Sequence, residues 1–346
     1  MRILEDLKLD FKDVLIIPKR SRPISRSMID LEREFRYPVH SEKKSIWKGI
    51  PIIASNMDTV ATFTMARTLA KMKLMTALHK FYEVEQYAEF FNNEPEEIIN
   101  HVFYTMGIND LDELVLVLNE TNKIKNVCVD SPNGYTSDFV DKICLIREAV
   151  PNVLLMAGNV VTPEMTEQLI LNGVDIVKIG IGSGSACLTR IKAGIGYPQL
   201  SATIECSDAA HGLDGYICSD GGCTVPGDVS KAIAAGADYV MLGGMFAGHD
   251  ETECEVIEKD GQKYMKFYGM SSEEAMNKYY GGVADYRTSE GKSVLVPYKG
   301  PVERTVQDIC GGIRSACTYV GAVKLKNLSK CTTFIRTNVQ ENRVFS

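Results

Sequence analysis

Eight short apolar runs, spaced as alternating strands and helices require, constrain this chain more than any other feature. PIIAS begins at Pro51, LMTAL at Leu74, HVFYTM at His101, NVCVD at Asn126 and VLLMAG at Val153; DIVKIGIG at Asp175, GYICSDGG at Gly215 and DYVMLGG at Asp238 complete the set. The last three are bounded by glycine and nearly free of charge inside, as parallel strands buried on both faces must be. Helix-period stretches lie between the runs. Phe139, Ile143, Ile146 and Val150, for instance, fall on one helical face.

An internal match strengthens the pattern. Asn172-Gly-Val-Asp-Ile-Val-Lys-Ile-Gly180 parallels Ala235-Gly-Ala-Asp-Tyr-Val-Met-Leu-Gly243 as helix end, glycine cap and strand. Ahead of them, Thr162-Pro163 and Val225-Pro226-Gly227-Asp228 read as helix starts, because proline is tolerated in a first turn. The expected class is α/β, a (β/α)8 TIM barrel, with an open doubly wound sheet as the alternative. Two stretches break the rhythm after the eighth strand. Glu255 to Tyr268 reads as a hairpin about Asp260-Gly261, and Tyr279 to Pro301, rich in glycine and charge, reads as a mobile flap before a final helix from Val302 to Val320. Both belong at the C-terminal end of the barrel, where such enzymes build their sites. No linker divides the chain, so residues 1–346 are taken as a single catalytic domain.

The net charge of −7 argues against a general grip on nucleic acid, so an anionic ligand has to be held by local geometry. No signal-like segment opens the sequence and no run of eighteen apolar residues occurs, so a soluble cytoplasmic protein without a membrane partner is expected. Ten cysteines include no CxxC pair; nine are expected to be reduced core thiols.

The tenth is Cys187. It lies in Gly180-Ile-Gly-Ser-Gly-Ser-Ala-Cys-Leu-Thr-Arg190, directly after the sixth run. Alternate glycines let this loop turn its amides and carbonyls toward a ligand, and a thiol beside Thr189 and Arg190 is a natural nucleophile. A small residue filling a loop is the alternative there. Ser219-Asp220-Gly221-Gly222 and Leu242-Gly243-Gly244-Met245 end the next two runs, where barrels bind phosphate through backbone amides and an aspartate can take ribose hydroxyls. His79-Lys80 and Asn56-Met57-Asp58 end the second and first runs and can face the same mouth. Glu290 can serve as a proton carrier if its loop folds over the ligand. His40, His101, His211 and His249 show no metal-ligand spacing.

These residues resemble the IMP dehydrogenase and GMP reductase family nearly throughout. The likeness runs from Asp10-Phe-Lys-Asp-Val-Leu15 through Asn56-Met-Asp-Thr-Val60, Ala157-Gly-Asn-Val-Val161, Gly194-Ile-Gly-Tyr-Pro-Gln199, Ser219-Asp-Gly-Gly222 and Phe267-Tyr-Gly-Met-Ser-Ser272 to Thr332-Thr-Phe-Ile-Arg336. Asn56-Met-Asp, Gly269-Met-Ser-Ser and Arg314-Ser-Ala-Cys-Thr-Tyr319 are similar to the reductase branch. The regulatory insert and the flap Arg-Tyr pair of the dehydrogenases are absent.

The resemblance implies a homotetrameric barrel that converts GMP, NADPH and protons to IMP, ammonium and NADP+ in purine nucleotide interconversion, through a covalent thioimidate on Cys187. Thr189 and Glu290 would move the proton for the departing amine. Asp220, Gly221, Gly222, Gly243, Gly244, Gly269, Met270, Ser271, Arg287, Thr288, Ser289 and Gly291 would hold GMP. Lys80, Asp130, Ser131, Pro132, Ile181, Gly182, Ser315, Ala316, Cys317 and Thr318 would meet NADPH, with Ser25 and Arg26 reaching it from a neighbouring subunit. Carbonyls of Gly182, Gly184 and Cys187, with Arg190 adjacent, resemble the family's K+ loop.

This sequence departs from the family pattern at Ser183 (usually proline), Ala186 (usually larger and β-branched), Leu188 (usually threonine) and Ser131-Pro132 (usually Val-Ala). The altered loop keeps two further readings open: a dehydrogenase acting on IMP, and a nucleotide-binding regulator without turnover.

Overall fold

The computed structural model describes residues 3–21, 25–37, 45–338 and 340. Strand β1 (Val14–Ile16) pairs antiparallel with β15 (Phe334–Arg336). A hairpin of β2 (Arg33–Tyr37) and β3 (Ser45–Gly49) follows. The eight apolar runs then become β4 (Ile52–Ala54), β5 (Met75–Ala77), β6 (Val102–Met106), β7 (Asn126–Asp130), β8 (Leu154–Val160), β9 (Ile176–Ile179), β10 (Tyr216–Asp220) and β11 (Tyr239–Leu242). Sequence neighbours pair in parallel, and β11 pairs with β4 through Val240↔Ile52 to close the ring. The fold is therefore a (β/α)8 barrel, and closure removes the open-sheet alternative.

Strand alternation sorts the barrel's side chains. Ile53, Met75, Phe103, Cys128, Met156, Ile176, Cys218 and Met241 fill the interior, while Val127, Val129, Val177, Ile179 and Leu242 face the surrounding helices. Burial on both faces is why the runs carry so little charge. The hairpin of β2 and β3 plugs the N-terminal end with Phe35, Tyr37 and Trp47, and Phe35 stacks on Tyr239 at 4.4 Å. Reading the runs alone missed this plug, although Phe35 and Tyr37 alternate with Glu34 and Arg36.

The internal match is real at the level of backbone and charge. Gly173 and Gly236 take φ of +102° and +108° after their helices. The repeated aspartates then reach back to the preceding strand: Asp175 accepts from Leu155 N at 2.8 Å and Asp238 from Ile217 N at 3.0 Å. Pro163 and Pro226 begin their helices, as expected. The expected helical face on Ser137–Ala149 buries Phe139, Ile143 and Ile146.

After β11, β12 (Val256–Lys259) and β13 (Gln262–Tyr268) form the expected hairpin, with Asp260 and Gly261 both at positive φ. The sheet gains a strand the sequence reading missed, β14 (Ser293–Pro297), which returns from the flap to pair with β13. Helix Glu303–Val320 closes the chain's last βα unit. All ten cysteines are free. Of the nine expected in the core, Cys128, Cys206, Cys218, Cys310 and Cys317 are buried, whereas Cys144, Cys223, Cys254 and Cys331 are only partly so. Among the described residues no helix is long and apolar enough to cross a membrane.

Candidate active site

At the C-terminal end of the barrel the apolar filling gives way to a polar layer. Two residues beyond Ile176, Lys178 points inward and is 1% exposed. Its ammonium donates to Asp130 on β7, lies 3.4 Å from Asp220 on β10 and reaches Asn56 Oδ1 at 3.4 Å. Burial opposes the charge on Lys178, but Asp130 and Asp220 overcome it and hold the amine well above its ordinary pKa. Burial likewise opposes ionisation of Asp130, and Lys178 outweighs it, so this carboxyl lies below the usual range. Asn159 donates to Asp220 at 2.9 Å and to the Gly180 carbonyl at 2.8 Å.

The loop after β9 sets Cys187 over this layer. Its amide donates to the Gly184 carbonyl at 3.0 Å, a tight turn that ends in the short helix Thr189–Lys192. The Cys187 thiol donates to Thr189 Oγ1 at 3.2 Å, and Thr189 donates to Glu290 Oε2 at 2.6 Å. Glu290 comes from the flap, 101 residues away from Thr189 in sequence. Main-chain bonds hold it there. Leu188 N donates to the Glu290 carbonyl at 2.6 Å, Lys292 N to Ala186 O at 3.0 Å, and the amides of Glu290 and Gly291 both to Ser271 O at 3.1 Å.

The glycine pairs converge on the same loop. Gly221 and Gly222 have φ of +100° and +81°, and a Cβ on Gly221 would lie 2.5 Å from Ser183 Oγ. A Cβ on Gly244 would lie 2.6 Å from Ser185 Oγ. Glycine therefore lets three strand ends crowd round one cysteine. The outcome is a thiol, a hydroxyl and a carboxylate in one hydrogen-bonded line, beside half-buried glycine backbone and the carboxylate of Asp220. That line can carry a nucleophile and the proton for its leaving group.

Residues 8–343 match the family described as the IMP dehydrogenase / GMP reductase domain. The chain belongs to that family. Proteins named GMP reductase from Shigella boydii and Aeromonas salmonicida are each 57% identical to it, and one from Yersinia enterocolitica is 58% identical; in each case all of this chain and 99% of the relative are covered.

Other family-implied residues fall into two groups. Asp220, Gly221, Gly222, Gly243, Gly244, Gly269, Met270, Ser271, Ser289 and Gly291 belong to the strand ends and flap root just described. Arg287 and Thr288 are exposed on the flap. On the cofactor side, Lys80 lies 3.8 Å from Asp110, Ser131 exchanges main-chain bonds with Gly158 and Asn159, and Ile181 accepts from Tyr197 N at 3.2 Å, beside Gly182; Pro132 is exposed. Ser25 and Arg26 instead form a short turn packed on helix Glu303–Val320, which also carries Ser315, Ala316 and Thr318. Cys317, on the same helix, is 0% exposed and packs its thiol in the core. The guanidinium of Arg190 is turned to Asp10, at 2.9 and 3.2 Å, and to the Tyr197 carbonyl at 2.7 Å, and so braces the Cys187 loop.

Sequence reasoning missed Lys178, although a lysine inside an otherwise apolar strand was its signal. It also missed what Asp58 does. This buried carboxylate accepts from the hydroxyls of Tyr268 and Tyr279 and from Lys278 at 2.9 Å, fastening the root of the flap to the end of β4. Tyr279 stacks on Phe81 at 3.5 Å, adding a second fastening. Among the described residues no group of three or more His, Cys, Asp or Glu side chains is arranged to hold a metal ion.

Proposed function

We propose that the protein catalyses the NADPH-dependent reductive deamination of GMP to IMP, with release of ammonium. The observation that carries this is the continuous line from Cys187 through Thr189 to Glu290. Full-length similarity to proteins named GMP reductase supports the same reading.

In the first step Cys187 passes its proton along Thr189 to Glu290 and adds to purine C2 as thiolate, and the C2 amine leaves. An amide anion is too basic to depart unprotonated, so Glu290 supplies a proton through Thr189 and ammonia is released, leaving a thioimidate on Cys187. Bound NADPH supplies the hydride that C2 then needs. The C2–S bond breaks, the thiol is restored and IMP is freed. Over both steps GMP, NADPH and two protons become IMP, NADP+ and ammonium. Asp220 would accept from the ribose hydroxyls, and the amides of Gly221, Gly222, Gly243 and Gly244 would take the phosphate.

The mouth offers groups that suit a nicotinamide cofactor. Asn159 Oδ1 is buried without a hydrogen-bond partner, and Asp130 and Ser131 lie beside it along β7 and β8. Lys80, Asp130, Ser131, Pro132, Ile181 and Gly182 would hold the cofactor in this chain. Ser25, Arg26, Ser315, Ala316 and Thr318 form one patch that a neighbouring copy would bring to the mouth, which is the basis for a homotetramer. A monovalent cation such as K+ would be held by the carbonyls of Gly182, Gly184 and Cys187. The Gly184 carbonyl already accepts one amide and has a second lone pair free for a cation.

Purified protein incubated with GMP and NADPH is expected to form IMP and ammonium in equal amounts as NADPH is consumed. Folded protein that consumes no NADPH sinks the proposal. Formation of XMP from IMP and NAD+ instead identifies a dehydrogenase, and nucleotide binding without turnover identifies a regulator.

A further inference from the structure

We propose that Lys178 is a positioning residue that ties the ribose-side carboxylate Asp220 to the cofactor-side carboxylate Asp130, so that one buried ammonium sets both halves of the site. The roles of the two carboxylates rest on the function proposed above; the tie between them rests on geometry.

Four adjacent strands build it. Asp130 ends β7, Gly158 lies opposite it on β8, Lys178 lies opposite Gly158 on β9, and Asp220 ends β10. Lys178 therefore has to cross β8 to reach Asp130. Residue 158 between them has no side chain: a Cβ there would lie 2.6 Å from Lys178 Cβ and 2.5 Å from the Lys178 carbonyl oxygen, so glycine is what lets β8 and β9 approach this closely. The ammonium of Lys178 meets Asp130 on one side and Asp220 on the other.

A structural filler would not look like this. Burying an ammonium fully, between two carboxylates that keep only part of their solvent, carries a desolvation cost, and an apolar residue would continue the layer of Cys128 and Cys218 without it. The groups facing the ammonium are Asp130 and Cys128 from β7, Asp220 and Cys218 from β10, and Asn56 from the end of β4. Lys80 acts on Asp130 from the end of β5, and Asn159 steadies Asp220 from β8. With the lysine present Asp130 stays ionised and both carboxylates are held in place. Without it Asp130 loses the charge that offsets its burial and takes up a proton more readily, and both carboxylates lose their anchor.

The test is Lys178→Met, which keeps the stem and removes the charge. Steady-state kinetics are expected to show KM raised at least tenfold for both GMP and NADPH, with kcat changed less. The acid limb of kcat/KM should move up by at least about one pH unit, because an uncompensated carboxylate protonates more readily. Lys178→Arg, which restores the charge, should return the acid limb toward its original position. A purely structural lysine would lower stability without moving the limb. Should Lys178→Met not fold, Asp130→Asn combined with Lys178→Met removes one charge of each sign, and is expected to keep the weak NADPH binding while recovering the melting temperature.

GMP binding by calorimetry needs no turnover and separates this proposal from the reaction itself. At least tenfold weaker binding in folded Lys178→Met supports the tie even if the unaltered protein fails to consume NADPH. Unchanged GMP binding, or unchanged KM values with an unmoved acid limb, overturns it.

Discussion

Replacing Glu290 with glutamine is a clean perturbation of the proton line, because little else depends on the carboxylate. The main chain of residue 290 is held by Leu188 N, at 2.6 Å, and by Ser271 O, at 3.1 Å, and neither bond involves the side chain. Glutamine has nearly the same shape, and its amide oxygen can still accept from Thr189, which now donates to Glu290 at 2.6 Å. What disappears is the transferable proton. Positioned acid–base groups contribute roughly 10²–10⁴ in rate, or about 3–5 kcal/mol of barrier. Glu290→Gln is therefore expected to lower kcat for GMP by roughly two to four orders of magnitude. KM for GMP should stay within about threefold, since the flap main chain and the glycine-lined strand ends are untouched. NADPH absorbance under saturating GMP reads the first quantity and a GMP titration the second. A kcat within tenfold of the unaltered protein would refute the assignment of Glu290 as proton source; a large rise in KM with kcat intact would make it a binding group instead.

Three further outcomes concern His79, Arg147 and Asp58. His79 is buried with its pKa lowered to about 4, chiefly by burial, against an ordinary value of 6.5. A depressed histidine is neutral when folded, so the unfolded chain binds more protons and stability falls as pH drops from 6.5 toward 4; the shift corresponds to about 3 kcal/mol. Chemical unfolding at pH 7 and pH 4.5 should show a smaller acid loss in His79→Gln, and parallel losses would contradict this. Arg147 donates to Asp175 at 2.7 Å and to the carbonyls of Gly173 and Val153 at 2.8 and 2.9 Å, nearly out of solvent. Arg147→Ala should cost about 3–5 kcal/mol in urea unfolding while leaving KM unchanged, and a cost below about 1 kcal/mol would deny this pair a structural role. Asp58→Asn weakens the fastening of Tyr268, Lys278 and Tyr279 at the flap root. It should hasten tryptic cleavage at Arg287 and raise KM for GMP severalfold; cleavage at the original rate would show that the flap is held elsewhere.

The barrel was legible because its rules are local. Strands buried on both faces must be apolar, glycines after helices take a left-handed turn, and Asp260-Gly261 suits only a tight hairpin. The Cys187 loop was legible for the same reason, since three alternate glycines at a strand end announce unusual backbone. Contact between Thr189 and Glu290 was not available from spacing, because it depends on a flap folding back through β14, a strand too short and too exposed to stand out. Lys178 was hidden differently. Its strand was read for apolar content, and one charge looked like a tolerated exception. Only the pairing of β7 through β10, which brings Asp130 and Asp220 to its ammonium, explains how the charge fits. Cys317 was offered by family likeness alone, and its place on the inner face of helix Glu303–Val320 gives its thiol to the core.

The covalent bond to Cys187 is the centre of the account, and acid-quenched mixing of the protein with GMP, followed by intact-mass measurement, tests it most directly. The predicted result is a species heavier than the free chain by a purine nucleotide lacking its amine. It should be absent from Cys187→Ala and should be consumed when NADPH is added before the quench. Turnover of GMP by Cys187→Ala at the original rate, or an adduct that persists unchanged in the presence of NADPH, would contradict the mechanism.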